Sequence, residues 1–445
     1  MTKGLLVAAT ALAVVFVWQS VATAADGSSS TAATKCADPS GKVNLGVSYF
    51  SNAASVAQNA IGADTSNVPA DQAIVDGLKA GVTQLNAAGG LAGCDVNLVT
   101  YRYPASTPDW GQQSQQECTA FTQDVKVFAV FSAGSYENHV GVECFTKAKL
   151  PFFVSGGKYQ PTCDDLKKGA PYLYYVNGVA SCRFNQLVTL WNKAGLFPKD
   201  AKVGIMAADD GTGQGDYVAN KAYGPALKKL KIPYEVASYH QTASASDLSN
   251  TTVTMNAAIL KFKNDGVNVV IFTPGGATTV AFLTSANSQG FYPAYGLNTS
   301  DALALKAQLG AEAMKTKAIA VSWQITDLPL QAQQALPANP AITECATWTA
   351  PSTTTLTGVS GYCDFLNLLQ ASLGKAKDVK PATLRKGIDA QGTKFKATTT
   401  YNGDLKFGAK VNGGNIDEVQ MLQYDPATKT FVKIPGTKPV PLDGT

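Results

Sequence analysis

Eight cysteines, two histidines and several short segments rich in glycine and hydroxyls are the residues of this chain with chemistry to offer. Neither His139 nor His240 sits in a nucleophile motif, and no G-x-S-x-G, Walker loop or paired-carboxylate motif occurs. The cysteines Cys36, Cys94, Cys118, Cys144, Cys163, Cys182, Cys345 and Cys363 form no C-x-x-C pair, so a zinc site is not expected and their even number points to disulfides. What remains is binding chemistry. Ser132-Ala133-Gly134-Ser135-Tyr136-Glu137-Asn138 separates an apolar run from a helical one. Hydroxyls and backbone N–H groups at a helix N-terminus hold anions, and the same geometry lets Ser135 or Asn138 simply cap the helix. Ser155-Gly156-Gly157-Lys158-Tyr159 follows a second apolar run; its glycines allow a ligand close to the backbone, or make an ordinary turn. Asp209 to Asp216 is an incomplete G-x-G-x-x-G, with Gly211 and Gly213 but Asp216 in the third place, and is weak evidence for a dinucleotide. Thr273-Pro274-Gly275-Gly276 and Asn298-Thr299-Ser300-Asp301 end two more apolar runs. Aromatics at strand ends (Tyr49, Phe50, Tyr103, Trp110, Tyr136 and Trp323) suit a ring-bearing or apolar ligand, although any one of them ordinarily serves packing. No cofactor and no catalytic residue is expected.

The elements that must position these segments alternate. Strands are expected at 43–48, 95–101, 127–131 and 151–155, with helices at 71–87, 111–123 and 138–149 between them. Ile74, Leu78, Val82 and Leu85 recur at helical spacing, and Ala88-Gly89-Gly90 reads as a glycine stop. Such alternation means a parallel sheet covered on both faces. The pattern restarts after an extended stretch at 172–176, with strands at 202–206, 234–238, 267–272, 294–297 and 318–323 and helices at 183–194, 217–230, 253–264 and 277–288. No residue-level repeat accompanies the restart. Residues 336–357 read as a Pro/Thr-rich loop, 362–373 and 382–390 as helices, and 398–401 with 404–407 as a hairpin around Asn402-Gly403. A second hairpin is expected at 419–424 and 430–434. These late elements are too few for a third domain, so they return to complete the first two. The chain then crosses between two lobes several times, which makes a hinge.

The chain has 445 residues, 45% hydrophobic and 15% charged, which supports large buried cores. A net charge of +4 without a Lys/Arg run argues against nucleic acid as a partner. Lys3, the apolar stretch 5–17 and Ala22-Thr23-Ala24 read as an export signal cleaved near Ala25; uncleaved, 5–25 is nearly long enough to anchor in a bilayer. Topology orders the cysteines. Cys36 and Cys94 precede adjacent parallel strands, Cys118 and Cys144 lie on consecutive helices, Cys163 and Cys182 bracket the first lobe crossing, and Cys345 and Cys363 would pin the Pro/Thr-rich loop to a helix.

The segment Leu85-Asn86-Ala87-Ala88-Gly89-Gly90-Leu91-Ala92-Gly93-Cys94-Asp95-Val96 resembles the Asn-x-x-Gly-Gly region of type I periplasmic binding proteins, the leucine/isoleucine/valine-binding family of ABC transporter substrate-binding proteins. Segments at 127–138, 150–157, 202–216, 265–276, 361–373 and 401–414 match in order, covering essentially the whole mature chain. The resemblance implies an α/β fold of two doubly wound parallel-sheet lobes joined by a multi-strand hinge, with a ligand cleft between them. The expected boundaries are 1–24 for the signal, 25–40 for a tether, 41–175 with 324–392 for the first lobe, and 176–323 with 393–440 for the second. It implies that Ser135, Tyr136, Ser155, Gly156 and Gly157 meet a ligand carboxylate, that Asp210, Gln214 and Thr273 face the cleft, and that Asp301 meets a ligand ammonium. Read from the residues alone, Asp301 is first of all the N-cap of a helix at 302–308, the commonest use of an Asp there, and the two roles do not exclude each other. The implied function is extracytoplasmic capture of a small, amino-acid-like solute by a monomer that delivers it to an ABC permease; the alternative is a ligand-sensing receptor. Family members from single-membrane bacteria usually carry a lipid-anchoring cysteine at the cleavage point. Here Cys36 follows Ala33-Thr34-Lys35, which does not fit a lipidation box, and the cysteine count is high for the family.

Overall fold

A computed structural model describes residues 35–36, 40–51, 71–104, 110–132, 138–155, 160–176, 178–209, 211, 213–241, 248–275, 279–301, 303, 307, 310–336, 340–346, 356–398, 400–401, 405–408, 411–416 and 418–442. The first unit runs β1 (Lys42–Ser51), α1 (Asp71–Ala87), β2 (Asp95–Pro104), α2 (Trp110–Thr119), β3 (Ala129–Ser132), α3 (His139–Lys147), β4 (Phe152–Ser155), α4 (Cys163–Gly169) and β5 (Leu173–Val176). Its strands lie in the order β2-β1-β3-β4-β5, all parallel. Because the winding reverses at β1, helices must cover both faces. Leu78, Val82 and Leu85 of α1 bury against Val43, Leu45 and Val47 on one face. Phe121, Val142 and Phe145 bury against Val130, Phe152 and Val154 on the other. The two-residue period of the strands decides which side chain goes where.

The second unit comprises α5 (Phe184–Lys193), β6 (Val203–Asp209), α6 (Gln214–Tyr217), a π-helical stretch Val218–Tyr223, α7 (Gly224–Lys229), β7 (Tyr234–His240), α8 (Leu248–Asn264), β8 (Val269–Phe272), α9 (Val280–Ser288), β9 (Ala294–Asn298) and β10 (Ala318–Ser322). Its strand order, β7-β6-β8-β9-β10, repeats the winding of the first unit. On β6, Val203, Ile205 and Ala207 join one core, and Met206 and Ala208 the other.

The remaining elements are α10 (Leu330–Gln334), α11 (Pro340–Ala346), α12 (Leu356–Leu373), α13 (Pro381–Gln391), β11 (Leu405–Gly408), β12 (Val411–Ile416), β13 (Glu418–Asp425), β14 (Thr430–Lys433) and β15 (Val440–Pro441). They divide between the lobes. Phe365 of α12 stacks on Phe131 at 5.0 Å between ring centres, and Ala92 N–H donates to the Leu373 carbonyl at 2.9 Å, so α12 closes the first lobe. β13 pairs antiparallel with β10, and β14 and β15 pair with β13, so they extend the second sheet. The chain thus passes between lobes after β5, after β10, and between α13 and β13.

Two local expectations need correction. The segment expected to be all loop, 336–357, contains α11 and the first residues of α12. The hairpin expected at Asn402-Gly403 does not form with 398–401 as its first strand; β11 pairs instead with β12, which follows it, and Thr398 N–H donates to the Asp364 carboxylate. The second hairpin forms as expected between β13 and β14.

The Asn-x-x-Gly-Gly segment has a mechanical explanation. Gly90 N–H reaches the Leu85 carbonyl and Gly89 N–H the Asn86 carbonyl, both at 2.9 Å, a Schellman stop for α1. Gly90 has φ of +65°, and a Cβ there would sit 2.1 Å from the Cys94 carbonyl oxygen, so no other residue fits. The Asn86 side chain then pairs with Val96 in both directions, accepting its N–H at 2.7 Å and donating to its carbonyl at 3.0 Å. The helix end is pinned to the start of β2.

Three disulfides form as expected: Cys36–Cys94, Cys118–Cys144 and Cys163–Cys182, with Cα–Cα distances of 5.7, 6.2 and 5.8 Å. A Cys36 sulfur joined to Cys94 is not open to a lipid thioether. The expected Cys345–Cys363 bond is not made. Both are buried thiols in the core, and the Cys363 sulfur instead accepts from the Asn367 amide one helical turn on, at 3.7 Å. The proposed signal and tether fall almost wholly outside the described residues. Among the described residues no helix is long and apolar enough to cross a membrane.

Candidate functional site

Open parallel sheets bind ligands beyond the C-terminal ends of their strands, where the winding reverses. In the first lobe that point lies between β1 and β3, and in the second between β6 and β8. Ser48 on β1 donates to Ser132, the last residue of β3, at 3.0 Å, a buried hydroxyl pair at the residue that leads in sequence into the expected ligand loop. Asn138 caps α3: its side-chain oxygen accepts from Val140 N–H at 2.9 Å and Gly141 N–H at 3.3 Å. The capping alternative therefore belongs to Asn138. Ser135 and Tyr136 lie outside the described residues, as do Gly156, Gly157 and Asp210. Ser155 ends β4 and is half-buried.

Beside the Ser48–Ser132 pair stands a residue that the sequence did not single out. Glu117 of α2 is fully buried, and neither carboxylate oxygen has a hydrogen-bond partner. Burial pushes its pKa up to about 8, with the nearby Ser48 hydroxyl acting in the opposite direction. Burial therefore favours its neutral form. One turn earlier, Ser114 shares a 2.7 Å hydrogen bond with the Tyr103 hydroxyl. A lone acid in a polar helical stretch carries no sequence signal; only its packing beneath β1 makes it unusual.

In the second lobe Gln214 is buried, and its amide donates to the Gln160 carbonyl at 2.5 Å. That contact joins the lobes, since Gln160 follows β4, and the Tyr175 hydroxyl donates to the Gln160 side chain. Gly215 lets the start of α6 pack onto the end of β6: a Cβ there would lie 2.0 Å from the Ala208 carbonyl oxygen. Thr273 is buried, and its hydroxyl oxygen accepts Ala208 N–H at 2.8 Å, stitching the end of β8 to β6. Asp301 is buried in the 3₁₀ turn that follows β9, where its carboxylate accepts Asn298 N–H at 2.8 Å. Of the aromatics, Trp323 and Tyr103 are buried and Tyr49 half-buried. Trp323 meets Phe184, the first residue of α5, at 6.2 Å between ring centres.

A second buried acid went unnoticed in the sequence. Asp327, just beyond β10, accepts from Ser322 and Thr299 hydroxyls, each at 2.6 Å. Burial, with a smaller push from the Asp301 carboxylate, raises its pKa to about 6, while Ser322, Thr299 and the Gln324 backbone act against the rise. Among the described residues no cluster of His, Cys, Asp and Glu could hold a metal ion.

Two parallel-sheet lobes of like winding, with polar strand ends and several interlobe crossings, define a two-lobed α/β binding protein. The chain belongs to the periplasmic binding protein family, whose profile matches residues 60–429. It is 26% identical over 224 residues to the Leu/Ile/Val-binding protein homolog 8 of Brucella abortus, a match covering 49% of this chain. The chain spans about half the length (51%) of the curated relatives it matches. An ABC transporter substrate-binding protein from Desulfitobacterium hafniense, solved in complex with Leu, has a similar fold, with a TM-score of 0.57 and 15% identity over 88% of this chain and 100% of that one. A leucine binding protein from Thermotoga maritima gives 0.59 and 12%, covering 88% and 97%. A fatty acid ABC transporter substrate-binding protein from Thermomonospora curvata gives 0.59 and 14%, covering 88% and 91%.

Proposed function

We propose that this protein captures a small amino-acid-like solute outside the cytoplasm, closes on it by hinge motion, and delivers it to an ABC importer without catalysing any reaction. The observation that carries this reading is the pair of winding reversals, β1/β3 and β6/β8, one in each lobe. Each reversal opens a crevice beyond its strand ends, and a ligand between two such crevices is reached from both sides. The relatives named for Leu, Ile and Val and the structure solved with Leu favour an aliphatic amino acid as the solute. In this reading Ser135, Tyr136, Ser155, Gly156 and Gly157 receive the carboxylate, and Asp301 receives the ammonium. Asp210, Gln214 and Thr273 complete the second-lobe wall.

A thermal-shift screen of amino acids, amides, aromatic acids and sterol fragments tests it. A solute at a hundredfold its Kd adds about 2.7 kcal/mol to stability, enough to raise the melting temperature measurably. An aliphatic L-amino acid is expected to stabilise, while its amide and its D-isomer are not. The solute should be recovered chemically unchanged, as mass spectrometry would register. Stabilisation only by solutes lacking an ammonium group would overturn the amino-acid reading and leave Asp301 with its turn-closing role.

A further inference from the structure

The crossings that join the lobes meet at a buried polar knot. Asp327 follows β10 on the second crossing, inside the short 3₁₀ turn Ile325–Asp327. One carboxylate oxygen receives the hydroxyls of Ser322, the last residue of β10, and Thr299, which follows β9. The Thr299 hydroxyl oxygen in turn accepts Trp323 N–H at 2.9 Å. Ser322 also shares a 2.6 Å hydrogen bond with the hydroxyl of Tyr401, which lies on the third crossing. The proton order that satisfies every group runs from Tyr401 to Ser322 to Asp327, with Thr299 donating to the same acceptor.

The third crossing is anchored to each lobe in turn. Thr398 N–H donates to Asp364 of α12 at 2.6 Å, on the first-lobe side. Tyr401, three residues on, buries in the second-lobe core. A chain tethered so closely to both lobes transmits any rotation between them. The titratable groups facing Asp327 are Asp301, from the turn after β9, and Tyr401, whose pKa burial and the Asp327 charge both raise.

We propose that Asp327 is a positioning residue of the hinge: its carboxylate gathers Ser322 and Thr299 so that the second and third crossings keep one mutual register, and its protonation loosens that register. Nothing in this requires Asp327 to touch a solute. A neutral carboxyl accepts hydrogen bonds more weakly than an ionised one, and its own proton competes with the two hydroxyl donors. The sign for global stability is the opposite. A carboxyl whose folded pKa stands near 6, above its ordinary 3.8, makes the fold less stable as pH rises through that interval. Asp327 therefore weakens the fold at neutral pH while ordering the hinge, a trade expected of a functional group and not of a structural one.

Amide exchange on the empty protein tests this, corrected for the pH dependence of intrinsic rates, and it does not depend on what solute is bound. Protection of Trp323 N–H in the wild type is expected to fall roughly tenfold between pH about 7.5 and about 5, the loss of one charged hydrogen bond. Asp327→Asn, an isostere of the protonated acid, should show the low value at both pH values and melt no lower than the wild type at the higher one. Protection of Val130 N–H in the first sheet serves as the control. Equal protection in wild type and variant at neutral pH, or an equal deficit at both pH values, would overturn the proposal. Should the variant fail to fold, Tyr401→Phe provides the second test: Thr398 N–H loses protection while the pH step at Trp323 persists. An unchanged Thr398 would remove the third crossing from the knot.

Discussion

The two lobes wind alike and are secured differently. Each arranges five parallel strands with the same reversal, yet β1 of the first and β6 of the second share no sequence repeat. The first lobe carries two disulfides, with a third, Cys163–Cys182, tying it to the first crossing, and ends its sheet at β5. The second carries none among the described residues and continues its sheet antiparallel through β13 and β14. One lobe limits its unfolded chain covalently. The other recruits distant chain to lengthen its sheet and keep its inner strands off the edge. The fold requires only the winding and the alternation of apolar faces; how the stability is supplied is open.

The largest effect that sharpens this contrast is reduction. The disulfides close loops with sequence separations of 58, 26 and 19 residues. Chain entropy values each at roughly 3–4 kcal/mol, a figure that native strain usually reduces. Cys36→Ser with Cys94→Ser should lower the melting temperature most of the three pairs. Amide exchange should show the loss concentrated in β1, β2 and α1, with β6 to β10 little changed. Uniform loss across both lobes would mean that they unfold as one unit and erase the distinction.

Next in size is Glu117. Its folded pKa of about 8 lies above the ordinary 4.5, so the fold loses stability as pH rises across that window. Glu117→Gln keeps the shape and removes the ionisation. The variant should match the wild type near pH 4 and exceed it by a few kcal/mol (about 2–4) near pH 9. Urea unfolding at several pH values measures this. A constant difference between the two proteins at every pH would show that folding does not shift the Glu117 pKa.

The smallest effect belongs to the surface of the second lobe. Glu235 on β7 meets Lys202 at 2.8 Å and also Lys261, which pairs with Asp265. Hydrogen bonds from Lys202 and Lys261 hold the Glu235 carboxyl down at about 2. What this network contributes is present above the ordinary pKa of 4.5 and lost as pH falls through about 2. Because these charges are solvated, Glu235→Gln should barely move the melting temperature at neutral pH, and concentrated salt should abolish even that. A large shift would mean that surface charge, and not sheet extension, secures the second lobe.

Much of this was legible in the chain because it is local. Alternating apolar runs and helical faces gave the two units, and the Asn86-to-Gly90 stop gave the first helix end. Adjacent parallel strands brought Cys36 to Cys94 before any coordinates did. Local signals also misled. Asn402-Gly403 is a strong turn dipeptide, yet Asp364 captures the backbone before it and β11 finds a better partner in β12. Cys345 and Cys363 count as an even pair, but a core that buries both thiols does not require that they join.

By itself, then, the sequence determined the strand–helix rhythm, the division into two α/β units and the glycine stop of the first helix, since each depends on neighbours a few residues apart. Only the tertiary structure decided the states of Glu117 and Asp327. Neither acid stands in a motif, and each becomes unusual because elements far away in the chain exclude water from it. It also decided that Gln214 reaches Gln160 and that Ser322 meets Tyr401, contacts spanning 54 and 79 residues. A charge's worth depends on the dielectric and the partners that folding supplies, and those cannot be read until the lobes have closed around it.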